Sequence, residues 1–204
     1  MLDIGNSGGN FTPWVKYNAK AGRWYVKGDN GDVEITNPTF VADFKNIQTG
    51  WFYFSAGAAP ERVLDPALTQ RAEKPNRTFT DNKGNVKDAF KRGFMLNLFS
   101  KNSFNGVVEL SSTAEAICTP IGALYTQYAA APEASQGKLP VVTVKGANPV
   151  TGKHGTNYTP VFEIVKWVDR PAEFEGTETV AQAPVSAPVQ SAPQPPVATS
   201  ISEF

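Results

Sequence analysis

The sequence lacks most of what disulfide scaffolds, metal sites and membrane spans require. Its 204 residues include one cysteine, Cys118, and one histidine, His154. One cysteine excludes an internal disulfide and a cysteine-rich zinc site, and one histidine argues against most metal sites and catalytic triads. No apolar run approaches the roughly 18 residues of a membrane span, and residues 1–10 are too polar for a secretory signal. These absences predict a soluble, cytoplasmic protein that makes no membrane contact.

Enzyme signatures are also missing. The nearest approach to a phosphate-binding loop, at residues 146–154, has one residue too many and places His154 where a hydroxyl is needed. There is no dinucleotide-binding motif and no nucleophile elbow. Cys118 and His154 could form a nucleophile–base pair, but Cys118 lies in an apolar segment, where a small buried side chain is the ordinary interpretation. We therefore predict a protein that is not an enzyme and that needs no cofactor or metal.

The charges that are present divide unevenly along the chain. Lysine and arginine number 19, as do aspartate and glutamate, so the net charge is zero. All 19 cations lie in residues 1–170 together with 15 acids, which leaves +4, whereas residues 171–204 hold four acids and no cation. Such asymmetry indicates a polyanionic partner or an interaction tail.

Composition divides the chain at the same place. Residues 176–200 contain five prolines, many alanines and no aromatic residue, so they cannot bury enough apolar surface to offset the entropy of ordering. We predict a flexible N-terminus at 1–10, one folded domain at 11–170, a disordered Pro/Ala-rich linker at 171–200, and an interaction tip at 201–204.

The folded part is predicted to be mainly β. Aromatic and β-branched runs separated by turn residues indicate nine strands, at 11–18, 22–27, 32–36, 39–44, 51–55, 93–100, 106–111, 139–145 and 159–168. The first two form a hairpin. Residues 74–88, rich in Asn, Lys, Thr and Gly, are predicted to be a mobile loop.

One helix is predicted before the last two strands. Ser112 and Glu115 fit a capping box, and apolar residues follow at helical spacing up to Tyr128. Pro120 either kinks this helix or begins a second one capped by Thr119. Strands with one helix before the last two match the order of an oligonucleotide-binding (OB) fold, a small β-barrel.

Aromatic residues interleave with cations on the predicted strands 11–18 and 22–27, and the predicted strand 51–55 is mostly aromatic. Because side chains alternate in an extended strand, Trp24 and Val26 would face the core while Arg23, Tyr25 and Lys27 face outward. Single-stranded nucleic acid needs flat rings for its bases and cations for its phosphates. Core positions are predicted for Trp24, Phe52, Phe54, Phe94 and Phe162. The candidate binding residues are Trp14, Lys16, Arg23, Tyr25, Lys27, Trp51, Tyr53, Lys91, Arg92, Lys145, Lys153 and His154.

The whole arrangement resembles the single-stranded DNA-binding proteins of bacteria and their phages. The shared features are a basic, aromatic-rich β-domain, a Pro/Ala/Gln/Ser-rich linker, and an acidic-apolar tip that ends in Phe204. Residues 12–19 and 152–158 also resemble segments of uncharacterised phage proteins, so the resemblance implies a phage-encoded chain. It further implies that the tip docks replication or repair proteins, with Ile201, Glu203 and Phe204 as the matching residues, although the family's tip carries several consecutive acids.

The expected function is therefore sequence-tolerant binding and protection of single-stranded DNA during replication, recombination or repair. The alternative is a phage structural or virion-assembly protein with a β-rich domain and a flexible tail. The sequence leaves the oligomeric state open, a homo-oligomer included.

Overall fold

A computed structural model describes residues 12–28, 30–55, 59–152 and 155–175. The strands of this part are β1 Trp14–Asn18, β2 Arg23–Gly28, β3 Gly31–Ile35, β4 Thr39–Ala42, β5 Gln48–Tyr53, β6 Glu61–Leu64, β7 Thr78–Thr80, β8 Val86–Asp88, β9 Lys91–Ser100, β10 Gly106–Ser112, β11 Leu139–Gly152 and β12 Gly155–Val168. Its α-helices are α1 Lys101–Phe104, α2 Glu115–Ala130 and α3 Pro132–Ser135, and 3-10 turns lie at Phe44–Asn46 and Ala172–Phe174. The predicted mainly β class is confirmed.

Most strands belong to one sheet. Eight of them pair in the order β12-β11-β4-β9-β10-β1-β2-β3, and β5 pairs with β9 and carries β6. The β1–β10 pairing is parallel and the other pairings among the described strands are antiparallel. The predicted β1–β2 hairpin is confirmed, whereas β7 and β8 form a separate two-stranded sheet.

The large sheet is curled into a half-barrel. Four strands separate β12 from β1 in the pairing order, yet the two strands approach each other. The Tyr158 amide donates to the Ala19 carbonyl at 2.7 Å, and the Tyr17 hydroxyl donates to the Tyr158 carbonyl at 3.0 Å. The curl therefore brings the β1–β2 turn against the last strand.

Alternation along the strands gives the sheet an inner and an outer face. The inner face carries the core, with Val15, Trp24, Leu96 and Leu98 all at most 2% exposed. Helix α2 packs on it through Ile117, Ile121, Leu124 and Tyr128. The outer face is the opposite side of the same strands.

Helix α2 confirms the predicted helix but not its start. The residue that caps it is Ala114, with no side-chain cap, and the Ser112 hydroxyl instead accepts from the Ala114 amide at 3.1 Å. The predicted capping box is therefore wrong. The helix also continues through Pro120 as one element, so no second helix begins at Thr119. Helix α1 and strand β6 were not predicted.

Two further predictions about the domain need correction. Residues 74–88, predicted as a mobile loop, contain the β7–β8 hairpin. Phe52 is buried as predicted, but Phe54 is 44% exposed and lies just beyond the end of β5. Its ring stacks on Phe52 at 6.1 Å.

The C-terminal boundary of the fold lies beyond residue 170. Phe174 is fully buried and its ring contacts Phe99 at 6.1 Å. Arg170 holds this turn by donating to the buried Asp43 carboxylate at 2.8 Å. Residues 171–175, predicted as linker, therefore belong to the fold. The predicted N-terminus at 1–10, the linker at 176–200 and the tip at 201–204 lie outside the described residues.

Candidate nucleic-acid interface

Five predicted binding residues share the outer face of the β1–β2 hairpin. The register pairs Lys16 with Tyr25 and Asn18 with Arg23, so the alternate residues Trp14 and Lys27 point the same way. The three cations are exposed and the two rings are half-buried. We call Trp14, Lys16, Arg23, Tyr25 and Lys27 the outer-face group. The predicted division of faces, with Trp24 in the core, is confirmed.

The cations of this group lie against its rings. The Lys16 ammonium is 5.1 Å from the centre of the Trp14 ring and 5.7 Å from that of Tyr25, and the Lys27 ammonium is 6.0 Å from the Trp14 ring. Cation–π attraction holds an ammonium beside a ring at such distances. A flat apolar surface and positive charge are therefore placed side by side, which is what a base and its neighbouring phosphate require.

Two acids on β3 that were not predicted to belong to the site border the outer-face group. Asp32 forms an ion pair with Lys16, and both oxygens of Glu34 accept from Arg23 at 2.8 Å. The register places Asp32 beside Lys27 and Glu34 beside Tyr25. Alternation along β3 could have revealed that both acids share one face. They reduce the positive charge that the hairpin offers to a polyanion.

A partly buried ion pair closes the other side of the group. Glu109 on β10 lies beside Trp14 in the parallel β1–β10 register, and Arg62 on β6 binds the Glu109 carboxylate through both terminal nitrogens. Strand β6 comes so close to Gly50 that a Cβ there would lie 2.5 Å from the Val63 carbonyl oxygen. Neither residue is predicted from the sequence, because their meeting depends on this close approach.

Trp51 and Tyr53 lie on the opposite face of the sheet from Trp14. The register pairs Trp14 with Glu109 and Glu109 with Asn97 on β9, so Trp14 shares a face with Asn97. Trp51 pairs with Arg92, five residues from Asn97 and therefore on the other face. The structure does not bring the two predicted aromatic platforms together.

Both the ring and the indole N–H of Trp51 make contacts within the domain. The Trp51 indole donates to the Ala72 carbonyl at 3.0 Å, and its ring lies 5.2 Å from the Arg92 guanidinium and 5.7 Å from the Lys74 ammonium. Arg92 donates to both oxygens of Asp65, at 2.8 and 2.5 Å. These contacts tie Trp51 and Arg92 to the chain that follows β6.

Asp65 is the centre of this arrangement. Its side chain is 2% exposed and also accepts from the Thr49 hydroxyl at 2.5 Å and the Ala72 amide at 2.9 Å. The hydrogen bond from Arg92 is the largest of the effects that hold the pKa of Asp65 well below its usual range. A carboxylate with four donors is a structural anchor, and its fixed charge neutralises Arg92.

Tyr53 plays a similar structural part. The Arg77 guanidinium lies 4.8 Å from its ring and donates to both oxygens of Glu61, at 2.6 and 2.8 Å. The Phe90 ring also packs against the Tyr53 ring, with 5.9 Å between the two ring centres. We call Trp51, Tyr53, Lys74, Arg77 and Arg92 the β5 group.

The remaining predicted binding residues are scattered. Lys91 is exposed on β9 opposite Phe52, and Lys145 on β11 pairs with Glu163 at 2.8 Å. Lys153, His154, Ile201, Glu203 and Phe204 lie outside the described residues.

Cys118 is half-buried, and burial raises the pKa of its thiol. In the described part of the chain, no group of three or more His, Cys, Asp or Glu side chains could hold a metal ion. None of the helices in that part has the length and apolarity to cross a membrane.

No protein-family model, curated protein or solved structure matches the chain.

Proposed function

We propose that the chain binds single-stranded DNA without strong sequence preference on the outer face of its β1–β2 hairpin. The observation that carries the proposal is the outer-face group, in which half-buried Trp14 and Tyr25 stand among three exposed cations. Every base has a flat face, so stacking on rings tolerates any sequence, and each stacked base contributes about 1–3 kcal/mol.

The geometry favours a single strand over a duplex. Bases in a duplex are stacked on one another and hide their faces, so rings on a β-sheet surface cannot reach them. A single strand can place a base against Trp14 or Tyr25 while its phosphates meet Lys16, Arg23 and Lys27. Binding should weaken with salt, with a log–log slope of about −0.7 for each phosphate neutralised.

The experiment is a titration of labelled oligo-dT, with a duplex of the same length as competitor, at two salt concentrations. Replacing Trp14 and Tyr25 with alanine should weaken binding by roughly 5- to 150-fold per lost stack. The control is Trp51→Phe, which keeps a ring in the β5 group and should bind like the unaltered protein. Equal affinity for duplex and single strand, or no binding at low salt, would contradict the proposal and favour the alternative of a phage structural protein.

In this proposal the protein is phage-encoded, and it coats single strands in the host cytoplasm during replication, recombination or repair.

A second part of the proposal concerns partners. Residues 171–204 carry four acids, no cation and Phe204, so the tip offers an apolar ring beside negative charge to a basic pocket on a replication or repair protein. Removing Phe204 should leave DNA affinity unchanged and abolish capture of such a partner. If capture persists, the tip is not the docking element.

A further inference from the structure

The β7–β8 hairpin is an isolated, uncovered element. It forms its own two-stranded sheet, and within the described residues neither strand pairs with the large sheet. All six of its strand residues are exposed, including Phe79 at 41% and Val86 at 69%. A lone two-stranded hairpin is marginally stable in water. The exposed Phe79 ring therefore differs from an exposed ring on a strand whose other face packs on the core.

The hairpin is held at both ends. At its turn, the Asp81 side chain accepts from the amides of Lys83 and Asn85, each at 2.9 Å, and pairs with Lys87 at 2.7 Å. These donors lower the pKa of Asp81. At its base, the β5 group supplies the support, because Arg77 packs on Tyr53 while Lys74 packs on Trp51 and pairs with Asp88. These contacts therefore fix the position of the hairpin relative to β5.

The net positive charge of residues 1–170 is concentrated around this hairpin. Residues 74–92 contain six lysines and arginines and two aspartates, a net charge of +4 by sequence, which the ion pairs of Arg92 with Asp65 and of Arg77 with Glu61 reduce to +2 locally. Since residues 1–170 together carry +4, the rest of that stretch is neutral. A polyanion near the domain is attracted by such a local charge excess.

One face of the hairpin combines an aromatic ring with cations. The register pairs Phe79 with Lys87, so these two share a face, whereas Val86 pairs with Thr80 on the other. Phe79, Lys83 and Lys87, with the turn residues between them, line an open concavity of about 560 Å³. No ion pair of Lys83 is found among the described residues.

The geometry points to the β7–β8 hairpin as a second binding element for single-stranded nucleic acid, with a base stacked on Phe79 and phosphates on Lys83 and Lys87. The occupant is a polyanion because residues 74–92 carry a positive net charge. It is single-stranded because the exposed Phe79 ring can stack only on an unstacked base. The inference rests on the proposed function, since the same strand would reach the hairpin after leaving the outer face. Phe79 is not among the predicted binding residues, because residues 74–88 were predicted to be a loop.

The test compares oligo-dT of about 30 nucleotides with oligo-dT of about five, near the lower end of known site sizes. The variant Phe79→Ala/Lys83→Ala keeps the Lys87–Asp81 pair, and Val86→Ala, on the other face of the same hairpin, is its matched control. The double variant should bind the long strand roughly tenfold more weakly and with a shallower salt slope, while Val86→Ala should bind like the unaltered protein. The short strand, held by the outer-face group, should be unaffected by either change.

The outcomes separate this inference from the proposed function. If the double variant binds the long strand normally while Trp14→Ala/Tyr25→Ala binds it weakly, the hairpin inference is overturned and the proposed function stands. If the unaltered protein binds neither strand, both fail. If sedimentation shows an oligomer that Phe79→Ala dissociates, the face belongs to a second copy and the inference is overturned. Should the double variant not fold, Lys83→Glu alone must weaken long-strand binding and make its salt slope shallower.

Discussion

The outer-face group and the β5 group each combine a tryptophan and a tyrosine with three cations, and they differ in what holds those side chains. Two cations lie within about 6 Å of a ring in the outer-face group, and three do so in the β5 group. In the outer-face group the cations pair with exposed acids and the rings face outward. In the β5 group, Trp51 is hydrogen-bonded to the backbone and Arg92 is paired with the buried Asp65. An aromatic–cation pattern in a strand therefore does not by itself indicate a binding face, because the same side chains can hold a buried carboxylate and a backbone carbonyl instead.

The largest difference should appear in stability. Trp51→Ala removes a packed ring and a hydrogen bond to Ala72, so we expect the free energy of unfolding to fall by about 2–4 kcal/mol. Trp14→Ala removes a half-buried ring from the outer face and should cost about 1 kcal/mol or less. Urea unfolding of both variants measures this. Equal losses would mean that the two groups do not differ in structural role.

The Asp65 anchor should give the β5 group a pH signature. The pKa of Asp65 is lower in the folded protein than in the unfolded chain, so its contribution is present above the unfolded pKa of about 4 and is lost as pH falls below it. At pH 7, Asp65→Asn should be less stable by about 2–3 kcal/mol, and this gap should narrow as the pH falls below about 4.

The control for that pH measurement is Glu61→Gln, which breaks the exposed Arg77 pair. An exposed ion pair contributes about 1 kcal/mol or less, so this variant should stay close to the unaltered protein throughout. A gap for Asp65→Asn that does not change with pH would show that the carboxylate is not the anchor.

Two arginines with similar exposure and similar partners allow the two groups to be compared in their contribution to DNA binding. Arg23 and Arg77 are 57% and 51% exposed, and each donates to both oxygens of one glutamate. Arg23→Ala should weaken binding of a short oligo-dT by about fivefold and reduce its salt slope by about 0.7. Arg77→Ala should change neither quantity for that short strand. The opposite ranking would move the binding face to the β5 side.

The smallest expected effect concerns the acids on β3. Asp32→Asn/Glu34→Gln releases Lys16 and Arg23 from exposed ion pairs, each worth about 1 kcal/mol or less. Affinity for single strands should rise by about two- to fivefold at low salt, and the gain should shrink at high salt because exposed charges are screened. Unchanged or weaker binding would show that these acids do not limit the interface.

Local patterns predicted most of the strands and, in β2, the face of each side chain. Alternation in β2 separates Trp24 from Arg23, Tyr25 and Lys27, as observed, because side chains in any strand point alternately to its two sides. The start of α2 was predicted less well, since Ser112 belongs to the end of β10 rather than to a cap. Phe54 shows the same limit, because its exposure depends on where β5 ends.

The sequence by itself determined the mainly β class, the β1–β2 hairpin, the inward tryptophan and the position of the long helix, because these follow from periodicity and turn residues within a few positions of one another. Only the tertiary structure decided that Trp14 and Trp51 lie on opposite faces, that Asp32 and Glu34 neutralise two of the cations, and that Arg62 meets Glu109. Those relations depend on which strands pair, in which register, and on how the sheet curls. Residues that meet across 11 to 47 positions of chain are brought together by strand pairing, which the local periodicity of the sequence does not report.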